Sequence, residues 1–402
     1  MIDEAYIKDQ FPQLFGRPEV IFFDSASTSQ KPRMVIAAID NYLKGIVANP
    51  DRGTYAQAIK AAGIVDTTRK RVKEFINAYD VSEVVFTSGA TESLNLIPLI
   101  WGFGNLRDGD EILLCKDDHQ SSVLPWLHLR DILQKSNITI RLIFYELDPR
   151  TGTIPLETIG SMINPKTRLV CATHIHNVYG TLSDMRGLRK LIGDQVLVSL
   201  DASQSVGHTP IDVQNLCVDF LAFGGHKMFA TEGIGVLWVN HRLHNTIKPV
   251  KVGSNPRAGS EKTLPNLLEV GTQNIFGLVG LGAAIEFIEN IGIKNIHDYL
   301  GSLTEYLLIG LKKIPQVEFL PGPAYTKDLS GYGIISFRIT GVSSTEVGFI
   351  LDEKQICVRT GSHCTTEGRF VDDSIRVSLH VYNTKAEIDR FISIVKEISD
   401  TV

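Results

Sequence analysis

Seven short runs of apolar residues punctuate the first part of the chain, at 84–87, 111–115, 140–145, 168–173, 197–201, 220–224 and 234–239. Most are apolar at consecutive rather than alternate positions, the pattern of strands covered on both faces. Helical stretches are predicted between several of them, over 91–100, 123–134 and 185–191. Strands alternating with helices predict an α/β layered domain built on a mainly parallel sheet of seven strands. In such sheets ligands sit beyond the carboxyl ends of the strands, so the residues just after each run are where chemistry is expected.

Beyond residue 265 the texture changes. Apolar residues at three- and four-residue spacing predict helices over 277–290 and 296–314. Strands are predicted at 317–320, 333–338 and 375–379, and further helices at 344–352 and 385–398. This second pattern predicts a smaller α+β domain. The expected division is a large domain over 20–265 and a small one combining 1–19 with 266–402.

The composition excludes several function classes. With 402 residues, 43% hydrophobic and 21% charged, the chain has the balance of an ordinary globular protein. Its net charge of −5 comes from interspersed acids and bases, so no basic patch marks a nucleic-acid surface. No apolar run reaches the length needed to span a bilayer. The five cysteines contain no CxxC pair, which argues against a disulfide framework or a structural zinc and for a reducing compartment. The first five residues, acidic and without a basic-then-apolar pattern, do not resemble a signal peptide. A cytoplasmic protein is expected.

Candidate chemistry gathers at the strand ends. Asp201 closes the run at 197–201, and Lys227 follows the run at 220–224 after Gly224-Gly225-His226. Taken singly, one is an ordinary turn acid and the other a surface lysine. Together they place a carboxylate and an amine at one sheet edge, as pyridoxal 5′-phosphate requires: an amine for its aldehyde, and an acid to keep its ring nitrogen protonated. Phe86-Thr87-Ser88-Gly89-Ala90-Thr91-Glu92 runs from a strand through small residues into a helix, where free N–H groups suit a phosphate. His119 follows another strand and is placed to stack on a flat ring and exchange protons. Cys364 lies in a Gly/Ser/Thr-rich loop beside His363, with Arg359 nearby, a setting that favours a thiolate. The other cysteines, Cys115, Cys171, Cys217 and Cys357, sit in strand-like runs and are expected to be structural.

These motifs resemble the class V aminotransferase family of fold type I, from Phe23-Asp24-Ser25-Ala26-Ser27 to Tyr382-Asn383-Thr384. The most specific are Val358-Arg359-Thr360-Gly361-Ser362-His363-Cys364 and Ser374-Ile375-Arg376-Val377-Ser378-Leu379. Within the family the chain is similar to cysteine desulfurases of the SUF type. The resemblance implies that Lys227 binds the cofactor covalently and moves protons. Asp201 would pair with the ring nitrogen, Gln204 would donate to the ring oxygen, and His119 would stack. Ala90, Thr91 and His226 would hold the phosphate, with Thr272 reaching it from a partner subunit. Asn177 and Arg376 would grip the substrate carboxylate, with Arg359 close by. Cys364 would take sulfur from L-cysteine or L-selenocysteine as a persulfide, release alanine, and pass the sulfur to an acceptor protein in iron–sulfur cluster assembly. A homodimer and no metal are expected.

The chain departs from the family pattern at Gly224 and His176, where serines are usual, and at Asp51 and Ser362, where histidines are common. The stretch from Thr365 to Arg369 and the reduced Val252-Gly253-Ser254 are also unusual. Another class V enzyme, a C–S lyase or epimerase-like protein acting on a different amino acid, is the alternative. Only twelve positions separate Cys364 from Arg376, which resembles enzymes with a restrained catalytic loop.

Overall fold

The computed structural model describes residues 2–50, 53–253, 263–321, 332–366 and 373–401. Asp51, Ser254 and residues 367–369, noted above as departures, lie outside the described residues. The strands, in chain order, are β1 (Ile21–Phe22), β2 (Val84–Thr87), β3 (Glu111–Cys115), β4 (Arg141–Tyr145), β5 (Thr167–Thr173), β6 (Leu197–Asp201) and β7 (Phe220–Gly224). They continue with β8 (Gly235–Val239), β9 (Val317–Leu320), β10 (Ile334–Ile339), β11 (Ile356–Cys357), β12 (Arg359–Thr360) and β13 (Ile375–Ser378).

Seven strands form one sheet in the order β2-β8-β7-β6-β5-β3-β4. All run parallel except β8, which is antiparallel to both of its neighbours. Strands β2, β3, β6, β7 and β8 are buried at every position, as their mainly apolar runs lead one to expect. The edge strand β4 begins exposed and carries the Arg141–Glu111 ion pair at its rim. Because β8 returns antiparallel to β7, the connection between them is short. It holds Lys227 at the carboxyl end of β7.

Two long helices escape the sequence pattern, Arg33–Gly45 and Ala56–Phe75. The second buries only Ala58, Ala61, Val65, Thr68, Arg69 and Val72, a face of small and polar residues that gives a weak apolar stripe. Both pack against helix Ile275–Ile291. That helix is apolar on nearly every side because it is covered on nearly every side. Its glycines permit the close approach: a Cβ at Gly280 would lie 3.1 Å from Ile39, and one at Gly282 would lie 3.2 Å from Thr68. Among the described residues no single helix is long and apolar enough to cross a membrane.

A second sheet, in the order β12-β13-β10-β9, is antiparallel throughout. Its register sets Arg359 of β12 directly opposite Arg376 of β13. The segment after β1 ties this sheet to the large one. Ser25 N–H donates to Ser378 O and Ser378 N–H to Phe23 O, while Ser29 N–H donates to His226 O beside Lys227. Residues 24–29 are thereby threaded between the two sheets.

A buried ion pair braces the back of the site. Arg69 donates to both oxygens of Glu269, at 2.6 and 2.8 Å, and to Val84 O; its guanidinium lies 4.5 Å from the Phe86 ring centroid. Glu269 also accepts from Phe86 N–H at 2.8 Å. Removing one partner strands a buried charge, so Glu269→Ala should lower stability by about 3–5 kcal/mol in urea unfolding.

Candidate active site

A cavity of about 420 Å³ opens at the carboxyl ends of β5, β6 and β7, where the topology of the large sheet predicts a ligand. Asp201 faces it from the end of β6 and Lys227 from the turn after β7, and Gln204, His119, His226, Ala90, Thr91, Asn177, Arg359, Arg376 and Cys364 complete the expected set in its wall. Thr272 stands apart. It is exposed and lines a neighbouring cleft of about 220 Å³ instead.

Burial lowers the Lys227 amine to about 8; nearby Asp201 opposes that shift, and Arg376 and Arg359 reinforce it. Asp201 ends β6, buried, accepting from Ser203 N–H at 2.9 Å and from Ser122 Oγ at 3.4 Å. Beside it lies Asp118, which sequence reading passed over; burial first, then the charges of Asp201 and Asp117, push its carboxyl up to about 8. His119 has two positions to fill. Its Nδ1 accepts from Ser121 N–H at 3.1 Å, capping helix Gln120–Gln134, which leaves the proton on Nε2. Burial also lowers its pKa below the usual histidine value.

The expected phosphate turn has the right local chemistry. Helix Ala90–Ile97 begins after Gly89 with no side chain capping it, so its first N–H groups stay available to an anion. Only a glycine at 235 lets β8 lie against this turn, because a Cβ there would fall 2.5 Å from Gly89 Cα. Thr91 Oγ1 and Ser121 Oγ, 2.9 Å apart, add hydroxyls to the wall. The departure at Gly224 also sits here: a Cβ would point to Ala90 N at 3.4 Å and crowd the His226 ring at 3.1 Å.

The opposite wall is basic. Arg376 is buried, donating from Nη1 to Asn177 O at 3.0 Å and from Nη2 to Asp24 Oδ1 at 3.2 Å. Arg359 donates from Nη1 to Ser27 Oγ at 2.7 Å. Above them the Cys364 loop is pinned by its backbone. Cys364 O accepts from Gln120 N–H at 3.0 Å, Asp118 O accepts from Thr366 N–H at 3.2 Å, and His363 O accepts from Asn177 Nδ2 at 3.1 Å. These bonds hold His363 and Cys364 at φ 51° and 60°, a left-handed backbone that side chains rarely adopt. Cys364 itself is exposed.

Two expectations need correction, and one departure finds its reason. His363 does not supply a positive charge to the Cys364 thiolate, because burial, with Arg376 and Arg359 adding to it, lowers its pKa to about 3, and Nε2 bonds to Ser374 Oγ at 2.8 Å. Cys217 is not in a strand but in an exposed turn at φ 55°, ending a short helix. His176, in place of the usual serine, is a structural residue: Nδ1 accepts from Val178 and Tyr179 N–H, Nε2 donates to Asp117 O at 3.0 Å, and the ring stacks on Tyr179. Among the described residues no cluster of three or more histidine, cysteine or acidic side chains could hold a metal ion.

The chain matches the family Aminotransferase class-V over residues 21–391. It is 36% identical to a cysteine desulfurase of Escherichia coli (strain K12 / DH10B), over 96% of each chain. Its structure is similar to that of an apo cysteine desulfurase from Thermococcus onnurineus NA1, with a TM-score of 0.90 at 32% identity, covering 100% of this chain and 99% of that one. It is also similar to a cysteine desulfurase of Escherichia coli in the S-sulfonic acid form, with a TM-score of 0.87 at 26% identity over the whole of both chains.

Pyridoxal phosphate fits the cavity on its own evidence. Five buried wall atoms, Gln204 Oε1, Asn177 Oδ1, Arg376 Nε, Thr173 Oγ1 and His363 Nδ1, lack a hydrogen-bond partner among the described residues. Gln204 spends one N–H on Ala26 O at 2.8 Å and keeps a second. An amine of lowered basicity, a carboxylate on the floor and an uncapped helix start offer the three contacts such a cofactor needs. From the match over residues 21–391 and from its full-length relatives, this chain belongs to the class V aminotransferase family of pyridoxal-phosphate enzymes, close to its cysteine desulfurases.

Proposed function

We propose that this protein is a cysteine desulfurase, converting L-cysteine to L-alanine and holding the sulfur on Cys364. The single observation that carries the reading is the convergence of Lys227, Asp201, Arg376 and Cys364 on one cavity, from elements far apart in sequence. Bound pyridoxal phosphate supplies an aldehyde for amines and a ring that withdraws electron density from the substrate's Cα and Cβ.

The chain's own residues account for the rest. Lys227 would hold the cofactor and accept the substrate's Cα proton, a task suited to an amine of lowered pKa. Asp201 would keep the ring nitrogen protonated, and His119, whose Nδ1 accepts from Ser121 N–H and leaves the proton on Nε2, would stack on the ring. Ala90, Thr91 and His226 would hold the phosphate, and Gln204 would offer its spare N–H to the ring oxygen. Arg376, with Asn177 and Arg359, holds the carboxylate and so fixes the orientation of the Cα–H bond. The Cys364 thiolate attacks the substrate sulfur. An S–S bond forms as the Cβ–S bond breaks, the electron pair stays on Cβ, a proton joins it there, and alanine leaves. A thiol of an acceptor then takes the terminal sulfur.

Incubating the purified, cofactor-loaded protein with L-cysteine and a reductant tests the reading. Alanine and sulfide should appear in equal amounts, and alanine without sulfide or persulfide would refute it. Capture of the cofactor has its own pH signature. A protonated amine cannot attack an aldehyde, so for cofactor-free protein the rate of capture, followed by absorbance, should rise with pH to about 8 and level off above it.

The finer assignments belong to the same proposal. The pinned loop around Cys364 suits an acceptor protein that comes to the cysteine, as in the SUF type, more than a loop that travels. A homodimer agrees with the exposed Ile36, Leu43, Ile59 and Phe276, all on the packed helices Arg33–Gly45, Ala56–Phe75 and Ile275–Ile291. In that dimer Thr272 would serve the partner's cavity. L-selenocysteine has the same carboxylate and amine and would use the same contacts.

A further inference from the structure

The two arginines facing the substrate side of the cavity share one small partner. Ser27 Oγ lies 2.6 Å from Asp24 Oδ1, 2.7 Å from Arg359 Nη1 and 3.1 Å from Arg376 Nη2. A serine hydroxyl has one hydrogen to give and two lone pairs to receive with. Here Asp24 takes the hydrogen and the guanidiniums fill both lone pairs, so the hydroxyl is saturated and its position is fixed from three sides.

From this geometry, and resting on the desulfurase reading above, we infer that Ser27 is a positioning residue that sets the two guanidiniums as one clamp for the substrate's α-carboxylate. Two like charges on facing positions of β12 and β13 repel. Asp24 lies between them, 3.2 Å from Arg376 and 4.0 Å from Arg359, and cancels one of the two positive charges. The remaining single charge matches one carboxylate. Asp24 is much nearer Arg376, so Arg359 relies on the hydroxyl to hold it in line. Among the described residues Ser27 makes the only hydrogen bond to the Arg359 guanidinium, on a side chain that is 42% exposed and otherwise held only by the longer contact to Asp24. Arg376 needs less help, being buried and also held by Asn177 O. The clamp is therefore one fixed arm and one arm hinged on Ser27, which the segment threaded between the sheets carries into the cavity.

The test compares L-alanine with ethylamine, the same molecule without its carboxylate. Both are titrated into cofactor-loaded protein, and the initial slope of the cofactor absorbance change is read against concentration. Losing a charge-assisted hydrogen bond from the hinged arm should make Ser27→Ala about tenfold less responsive to L-alanine. Its response to ethylamine should stay within about twofold, the margin left for indirect packing effects. Ser27→Thr, which keeps the hydroxyl, should regain most of the response to L-alanine. Equal losses for both amines, no loss for either, or no recovery with threonine would overturn the inference. A wild-type protein that responds alike to L-alanine and ethylamine would instead overturn the reading of the arginines as the carboxylate site.

Discussion

Lys227→Ala should abolish alanine formation from L-cysteine. The loss of the Cα base alone removes about 10²–10⁴-fold in rate, and the loss of the anchor adds to it. The remaining contacts predict something more specific than a dead protein. Asp201, His119, Gln204 and the turn at Ala90 are carried by the sheet and by helix starts, not by Lys227. The variant should therefore still bind pyridoxal phosphate, more weakly and reversibly, and release it on gel filtration. Borohydride reduction followed by peptide mapping reads the difference: wild-type protein should carry a reduced adduct on Lys227, and the variant none. An adduct on another lysine in the wild type would refute the assignment of the anchor.

Cys364→Ser should separate the two halves of the reaction. A hydroxyl does not attack sulfur, so desulfuration should fall by at least about 10³-fold, the scale on which loss of a nucleophile collapses turnover. Cofactor retention and the absorbance response to L-alanine should survive, because Cys364 is exposed at the rim and its loop is held by backbone bonds to Asp118 and Gln120 that the substitution does not touch. Full activity in this variant would rule out the persulfide route. Loss of the response to L-alanine together with activity would show that the loop shapes the amino-acid site as well.

The left-handed backbone at Cys364 explains why the loop can be short and still present its thiol. Strain at two successive residues persists only where surrounding bonds over-determine it, and here three such bonds come from Asn177, Asp118 and Gln120. None of this is visible in the glycine, serine and threonine around the cysteine. Those residues announce a loop, but its docking depends on elements more than 180 residues away in sequence. The same distance explains the misjudgement of His363. Beside a cysteine in sequence it looks like a proton partner, whereas burial, with the charges of Arg376 and Arg359 adding to it, keeps it neutral.

The amino-acid pattern by itself determined the large sheet. Strands β2, β3, β6 and β7 begin and end where their mainly apolar runs do, as strands covered on both faces should. It also determined which residues could bind and move protons, since an amine and an acid at successive strand ends must share one edge of a parallel sheet. It did not disclose helix Ala56–Phe75, whose buried face is largely small and polar and is legible only against the glycines of helix Ile275–Ile291. Tertiary structure alone decided the pairing of Arg359 with Arg376, the saturation of Ser27 between them and the neutrality of His363. Those properties arise from strand register and burial, which depend on partners that periodicity along a chain does not encode.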